Sequence, residues 1–294
     1  MDRANFLEYR HAIARRCYNE GNLVSAHRAP DFPHTMPSEN GLARTPPKPV
    51  RTGIDELSRR LRPEMVAVNG KISCSLMLPI AEEDLRQYLH DPIAALPPAV
   101  CELLPQVGVV LAPYLEKATA RASASVVTAK PAEAKLLFSA HVNATDFATL
   151  FFTVKDEEVS DYHYYFYEEI ASLLSQRWPK KVQDVYHGLL REELSAEVHG
   201  EVDEKSWHLK QGLLRRPMAA RKDGKAFRDY ARQSFQDTMT LYLHGICCDI
   251  DVETGPRQLP SRHLRKRLEA LKTLFPPPED HAVFPEDLTE HHHH

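Results

Sequence analysis

The sequence predicts an α+β fold: a small antiparallel sheet from two β-hairpins packed with helices, followed by a mainly helical C-terminal bundle. Three observations carry that expectation. Two stretches alternate apolar and polar residues at strand period around turn-forming residues. The second half of the chain runs at helical period, with Pro or Gly at each joint. Between them lies an aromatic run in which Tyr or Phe fills every position from 162 to 167 except His163. A chain of 294 residues can bury a sizeable core, as one large domain or two smaller ones.

Taken in order, residues 1–26 hold an amphipathic helix over 3–20, with Phe6, Ile13 and Cys17 on one stripe. Residues 27–53 carry six prolines and little apolar content, so they read as a linker or extended arm. An α+β part follows over 54–158. Val66–Val68 and Ile72–Leu78 flank Asn69-Gly70, the dipeptide that supplies both positive-φ positions of a type I′ turn, which predicts a first hairpin. Helices are expected over 81–90 and 98–118, the second interrupted by Pro105 and Pro113, and the Ala/Ser/Thr-rich stretch 119–133 reads as a linker. Leu136, Phe138, Ala140 and Val142, then Leu150, Phe152 and Val154, predict a second hairpin, and the two hairpins together a four-stranded antiparallel sheet.

From 159 to 275 the expectation is a helical bundle, with helices at 160–178, 181–198, 201–216, 226–249 and 261–275. Pro179, Gly200, Pro217 and the 255–260 stretch fall at the joints, as helix ends should. The tail 276–294 is expected to be irregular. Its last four histidines read as the remains of a purification tag and are set aside. The aromatic run reads as the element between sheet and bundle, its rings serving both cores.

No leader-like segment opens the chain, and no apolar run approaches the roughly 20 residues that span a bilayer. Five cysteines without paired spacing point to free thiols in a reducing compartment. The expected location is therefore cytoplasmic, with no membrane partner.

Phosphate-binding loops, dinucleotide fingerprints, zinc-protease helices and serine elbows are all absent from the sequence. Two candidate chemistries are left. The net charge of −4 conceals a strong polarity. Residues 205–272 hold fifteen Lys or Arg against seven Asp or Glu, a net of +8, whereas residues 144–204 hold five against fourteen, a net of −9. The basic stretch, through Arg215, Arg216, Arg221, Lys222, Lys225, Arg228, Arg262, Arg265 and Lys266, could hold an anionic partner, either nucleic acid or an acidic protein. The chain then reads as a binding or regulatory protein.

The alternative is a metal-dependent enzyme holding a non-haem transition metal inside the bundle. His163 and Glu169 border the apolar stripe of the aromatic helix, Asp184 and His187 form an i, i+3 pair, and Asp237, His244 and Cys248 share a helix face. His163, Glu169, Asp184, His187, Asp237 and His244 are thus the candidate ligands. The vicinal pair Cys247-Cys248 could ligate a metal or act as a redox thiol, against the plainer role of packing.

Overall fold

The centre of the molecule is a strand at a stretch whose sequence reads as helix. The computed structural model describes residues 51–117, 124–215, 224–248, 259–284 and 286–287. The expected N-terminal helix, most of the Pro-rich arm, and Arg216, Arg221 and Lys222 lie outside them.

Both hairpins form. Strands β2 (Val66–Ala67) and β3 (Ile72–Leu76) pair antiparallel, with Val66 opposite Cys74. The Asn69 side chain caps the turn by accepting from the backbone N–H groups of Lys71 and Ile72, each at 2.8 Å. Strands β8 (Ser139–Asn143) and β9 (Phe147–Thr153) form the second hairpin.

Between the hairpins lies β4 (Gln106–Ala112), parallel to β3 on one side and to β9 on the other. The sheet is therefore five-stranded and mixed, in the order β2-β3-β4-β9-β8, not four-stranded and antiparallel. The expected helix 98–118 is a short α-helix, Pro98–Leu103, followed by β4 and β5 (Tyr114–Glu116). Pro105 and Pro113 stand at the joints. The run Val107 to Ala112 is apolar throughout because a central parallel strand is buried on both faces, which erases the alternation that betrays a half-exposed strand. Gly108 gives the Met65 side chain its room: a Cβ at this position would come within 2.4 Å of the Met65 Sδ and 3.0 Å of the Phe147 ring, so the methionine would have to shift.

The two faces of this sheet feed two cores. Val109, Leu111, Leu150 and Phe152 point to the helical side. Val110, Ala112 and Phe151 point the other way, to a second core with Ile54, Leu57, Leu115 and Val126. That second core lies under helix α1 (Ile54–Leu61) and a four-stranded antiparallel sheet, β1-β6-β5-β7, with β1 at Arg51–Gly53, β6 at Ser125–Val127 and β7 at Leu136–Leu137. Part of the expected linker 119–133 is thus the strand β6. Its Val126 and Val127 are buried, and Arg51, at the end of the arm, pairs with Val127.

The C-terminal helices form as the sequence predicts. Below the expected helix at 81–90, the chain runs through α2 (Glu82–Leu85), a π-helical turn (Arg86–His90) and α3 (Asp91–Ala94); the Pro98–Leu103 helix is α4. The bundle comprises α5 (Val159–Arg177), α6 (Lys180–Ser195), α7 (Glu204–Leu214), α8 (Lys225–Cys248) and α9 (Ser261–Leu274). The aromatic run opens α5. Tyr162 meets the Phe152 ring of β9 at 5.2 Å and Tyr165 stacks on Phe138 at 4.9 Å, while Tyr164 and Tyr167 face His244 of α8. Phe166 is wholly buried among them, and truncating such a ring costs about 3–5 kcal/mol.

Helix α9 is fastened to the bundle by a buried ionic network. Arg267, with no exposed surface, donates to both carboxylate oxygens of Glu193 and of Glu201 and to the Ser234 hydroxyl. The Lys210 ammonium donates to the Gly200 carbonyl at 2.8 Å and approaches Glu201 at 3.4 Å. The Tyr230 hydroxyl closes the shell on Glu201. Burial alone would raise the Glu201 carboxyl, but the Arg267 charge, its hydrogen bonds and Lys210 outweigh it and lower it to about 2.

Candidate metal centre

The start of α5 and the end of α8 bring together groups that lie far apart in sequence. His163 sits in the second turn of α5, one residue beyond Tyr162, whose ring anchors the helix on the sheet. Cys247 and Cys248 end α8. His163 Nδ1 lies 3.2 Å from Cys248 Sγ and 3.9 Å from Cys247 Sγ. One donor atom from each residue falls within 4.8 Å of the other two, so one ion could bridge all three after small adjustments. Among the described residues this is the one such group.

A third element fixes the imidazole. His163 Nε2 is 2.8 Å from the Gln87 carbonyl, which obliges that nitrogen to carry the proton and donate. The carbonyl is available for a local reason. Asp91 N–H bonds to Arg86 in the wide π register, so the partner due to Gln87 is residue 92, a proline with no N–H. The neutral ring then presents the Nδ1 lone pair to the two sulfurs. A backbone carbonyl behind a ligating histidine is the usual device for holding tautomer and ring plane. Tyr167, one turn on from His163, donates to the Pro92 carbonyl at 3.0 Å and braces the same turn against α5.

The electrostatics shift the balance of the shared proton from Cys247 toward His163. The Cys248 hydrogen bond leads the effects on Cys247. With His163, it outweighs burial and lowers the Cys247 thiol to about 5. Burial would lower the imidazole, but Cys247 and the Gln87 carbonyl overcome it and raise His163. Cys74 and Cys101 show the opposite behaviour, since burial pushes both thiols up. A thiolate is the ligating and nucleophilic form of cysteine, so Cys247 differs in kind from Cys74 and Cys101.

Of the six residues the sequence nominates as ligands, His163 alone joins this group. Glu169 accepts from the Ser139 hydroxyl and from His141 Nδ1, each at 2.8 Å, at the β8 edge. Asp184 is paired with Lys180 at 2.7 Å on the surface of α6. His187 is buried between the Trp178 and Phe227 rings. Asp237 accepts from Gln233 at 2.7 Å, and burial together with the Asp203 charge raises it to about 7. His244 packs on Tyr164 and Tyr167 and so flanks the cluster without being one of its three donors. In sequence, Cys248 shares a helix face with Asp237 and His244. Adjacency of the two thiols was the available signal, whereas the Gln87 carbonyl carries no side-chain signature.

Three of the nominated basic residues are paired with carboxylates of the chain itself, at its surface. Lys225 pairs with Asp229, Lys266 with Glu192, and Arg265 with Glu269 and Glu286. Lys205 meets Glu168 at 3.3 Å. The acidic and basic stretches thus neutralise each other across the bundle at several points. Arg215 and Arg262 are exposed, with the Arg262 guanidinium 3.1 Å from His263 Nε2. Among the described residues no helix is long and apolar enough to cross a membrane. No family model, curated protein or solved structure matches this chain.

Proposed function

We propose that this protein binds one thiophilic divalent cation, with Zn²⁺ the best fit, through His163 Nδ1 and the sulfurs of Cys247 and Cys248. The observation that carries this reading is the anchored imidazole: its Nε2–H is committed to the Gln87 carbonyl, and its other nitrogen faces both thiols. Two sulfurs and one imidazole form a soft donor set, suited to zinc rather than to magnesium or calcium. Charge supports the choice. Two thiolates neutralise a dication, so a half-buried site carries no net charge, whereas a monovalent ion would leave an anion beside Asp91, whose charge reaches His163. Three protein donors correspond to the ligand count of catalytic zinc sites, which keep a fourth position for water or substrate. The reading keeps the metal-dependent alternative and exchanges its carboxylates for thiols. Holding an anionic partner ranks below it, because internal carboxylates already match several of the cations involved.

The test is metal analysis of protein freed of its terminal histidines, which would bind zinc themselves. One equivalent should survive dialysis and be lost in the Cys247→Ser/Cys248→Ser double variant. Tag-free protein that takes up no zinc, or a double variant that retains it, overturns the reading.

A further inference from the structure

The geometry around His163 has a second chemical use. Cysteine becomes a nucleophile when a base lies within hydrogen-bond reach of its sulfur and a third group orients that base. All three parts are present: Cys248 Sγ at 3.2 Å and Cys247 Sγ at 3.9 Å from Nδ1, and the Gln87 carbonyl at 2.8 Å behind Nε2. Both cysteines are half-buried, leaving a path for a small reagent. Cys74 and Cys101 are half-buried as well, which makes them internal controls for access.

We infer that, when no metal is bound, the Cys247–Cys248 pair is a covalent site for small disulfides, with His163 as its base. The inference rests on the same three side chains as the zinc reading, though not on zinc itself. In the step, a cysteine sulfur attacks one sulfur of a disulfide R–S–S–R while its proton passes to His163 Nδ1. A new S–S bond joins the cysteine to RS, and the old S–S bond breaks. The second RS leaves with the electron pair and takes the proton from the imidazolium as RSH. The cysteine is oxidised to a mixed disulfide and half of the reagent is reduced to thiol, so no other oxidant is needed. The imidazole ends neutral, its Nε2–H still on Gln87.

The experiment uses full-length protein without its terminal histidines, carrying Cys17→Ser, reduced and stripped of metal. It is mixed with dithiobis(nitrobenzoate), an aromatic disulfide whose released thiolate is coloured. The first equivalent should form roughly a hundredfold faster than reaction at Cys74 or Cys101, the size of a general-base effect. Mass spectrometry should place it on the peptide containing residues 247 and 248. His163→Gln should remove most of that advantage, and Cys247→Ser/Cys248→Ser should remove the fast phase, with circular dichroism confirming that each variant is folded. A first equivalent on Cys74 or Cys101, or an unchanged rate in folded His163→Gln, overturns the inference. One equivalent of Zn²⁺ separates the two readings. A fast phase that zinc suppresses supports both, whereas a fast phase indifferent to zinc upholds the nucleophile and sinks the metal site.

Discussion

Two polar clusters draw on the long helix α8, and they are built on opposite principles. The Arg267 network is closed: two cations face two carboxylates, and hydroxyls and a backbone carbonyl take up further hydrogen bonds. Arg267 and Lys210 have almost no exposed surface. The His163–Cys247–Cys248 cluster is open: its donors are soft, its two sulfurs share one imidazole nitrogen, and its cysteines are half-buried. A buried charge survives only when it is paired, and a completed pairing leaves nothing for a ligand. Donors that are oriented yet unsaturated are what a ligand requires. Strongly shifted ionisation therefore marks both clusters, and only coordination demand tells them apart.

The comparison can be broken first at the closed cluster. Arg267→Met should strand Glu193 without its cation, leave Glu201 with Lys210 alone, and cost about 3–5 kcal/mol, measured by denaturant unfolding. The folded Glu201 carboxyl titrates near 2 against an ordinary 4.5. Its stabilisation is therefore complete above about 4.5 and disappears as the pH falls toward 2, a feature the variant should lack. A loss below about 1 kcal/mol would mean that the network does not fasten α9.

At the open cluster the corresponding gain should come from ligand. Zinc at a hundredfold excess over its Kd should raise stability by about 2.7 kcal/mol, and should leave Cys247→Ser/Cys248→Ser unmoved. An equal shift in both proteins would place the zinc elsewhere.

Asp237, on α8 in sequence between Ser234 and the cysteines, sharpens the contrast because the Lys205 charge does not outweigh the effects of desolvation and of Asp203 on it. Its folded carboxyl titrates near 7, far above the ordinary 3.8, so its contribution is present below about 3.8 and is lost as the pH rises through 7. Asp237→Asn should consequently stabilise the protein above pH 7, by on the order of 2 kcal/mol. Thermal melts at pH 5 and pH 8 would show it, and an identical shift at both pH values would refute the cause.

A smaller effect probes the carbonyl behind the imidazole. Pro92→Ala restores an N–H that competes for the Gln87 carbonyl, and should weaken zinc binding about tenfold, the usual consequence of losing such an outer contact. Unchanged affinity would show that His163 needs no anchor. At the bottom of the scale, Lys225→Ala removes an exposed i, i+4 pair with Asp229 and should cost about 0.3–0.5 kcal/mol, a contribution that added salt screens away.

Much of this architecture was legible in the sequence. Asn69-Gly70 and the flanking alternation placed the first hairpin but not its turn type. The Asn69 side chain closes the turn by accepting from Lys71 and Ile72, and neither Asn69 nor Gly70 takes a positive φ. Pro179 and the helical period placed α5 and α6, because such signals act over a few residues. Strand β4 was hidden because burial on both faces removes the period that would distinguish it from a helix. His163 was singled out through its place beside the aromatic stripe, whereas Glu169 and Asp184, chosen by similar spacing, found partners on other elements. Spacing along a helix fixes the face a residue shares; it does not fix what that face meets.

The sequence by itself determined the local elements, the charge polarity and the presence of two adjacent thiols at the end of a helix. Only the tertiary structure decided that those thiols meet a histidine 85 residues away. It also decided that the carbonyl freed by Pro92 would hold that histidine from behind, and that Lys205, Lys210, Lys266 and Arg267 of the basic stretch would meet carboxylates of the acidic one. Turns and helix ends are set by neighbours along the chain. A three-donor site is set by which helix faces pack, and that depends on burying the aromatic run between the sheet and α8.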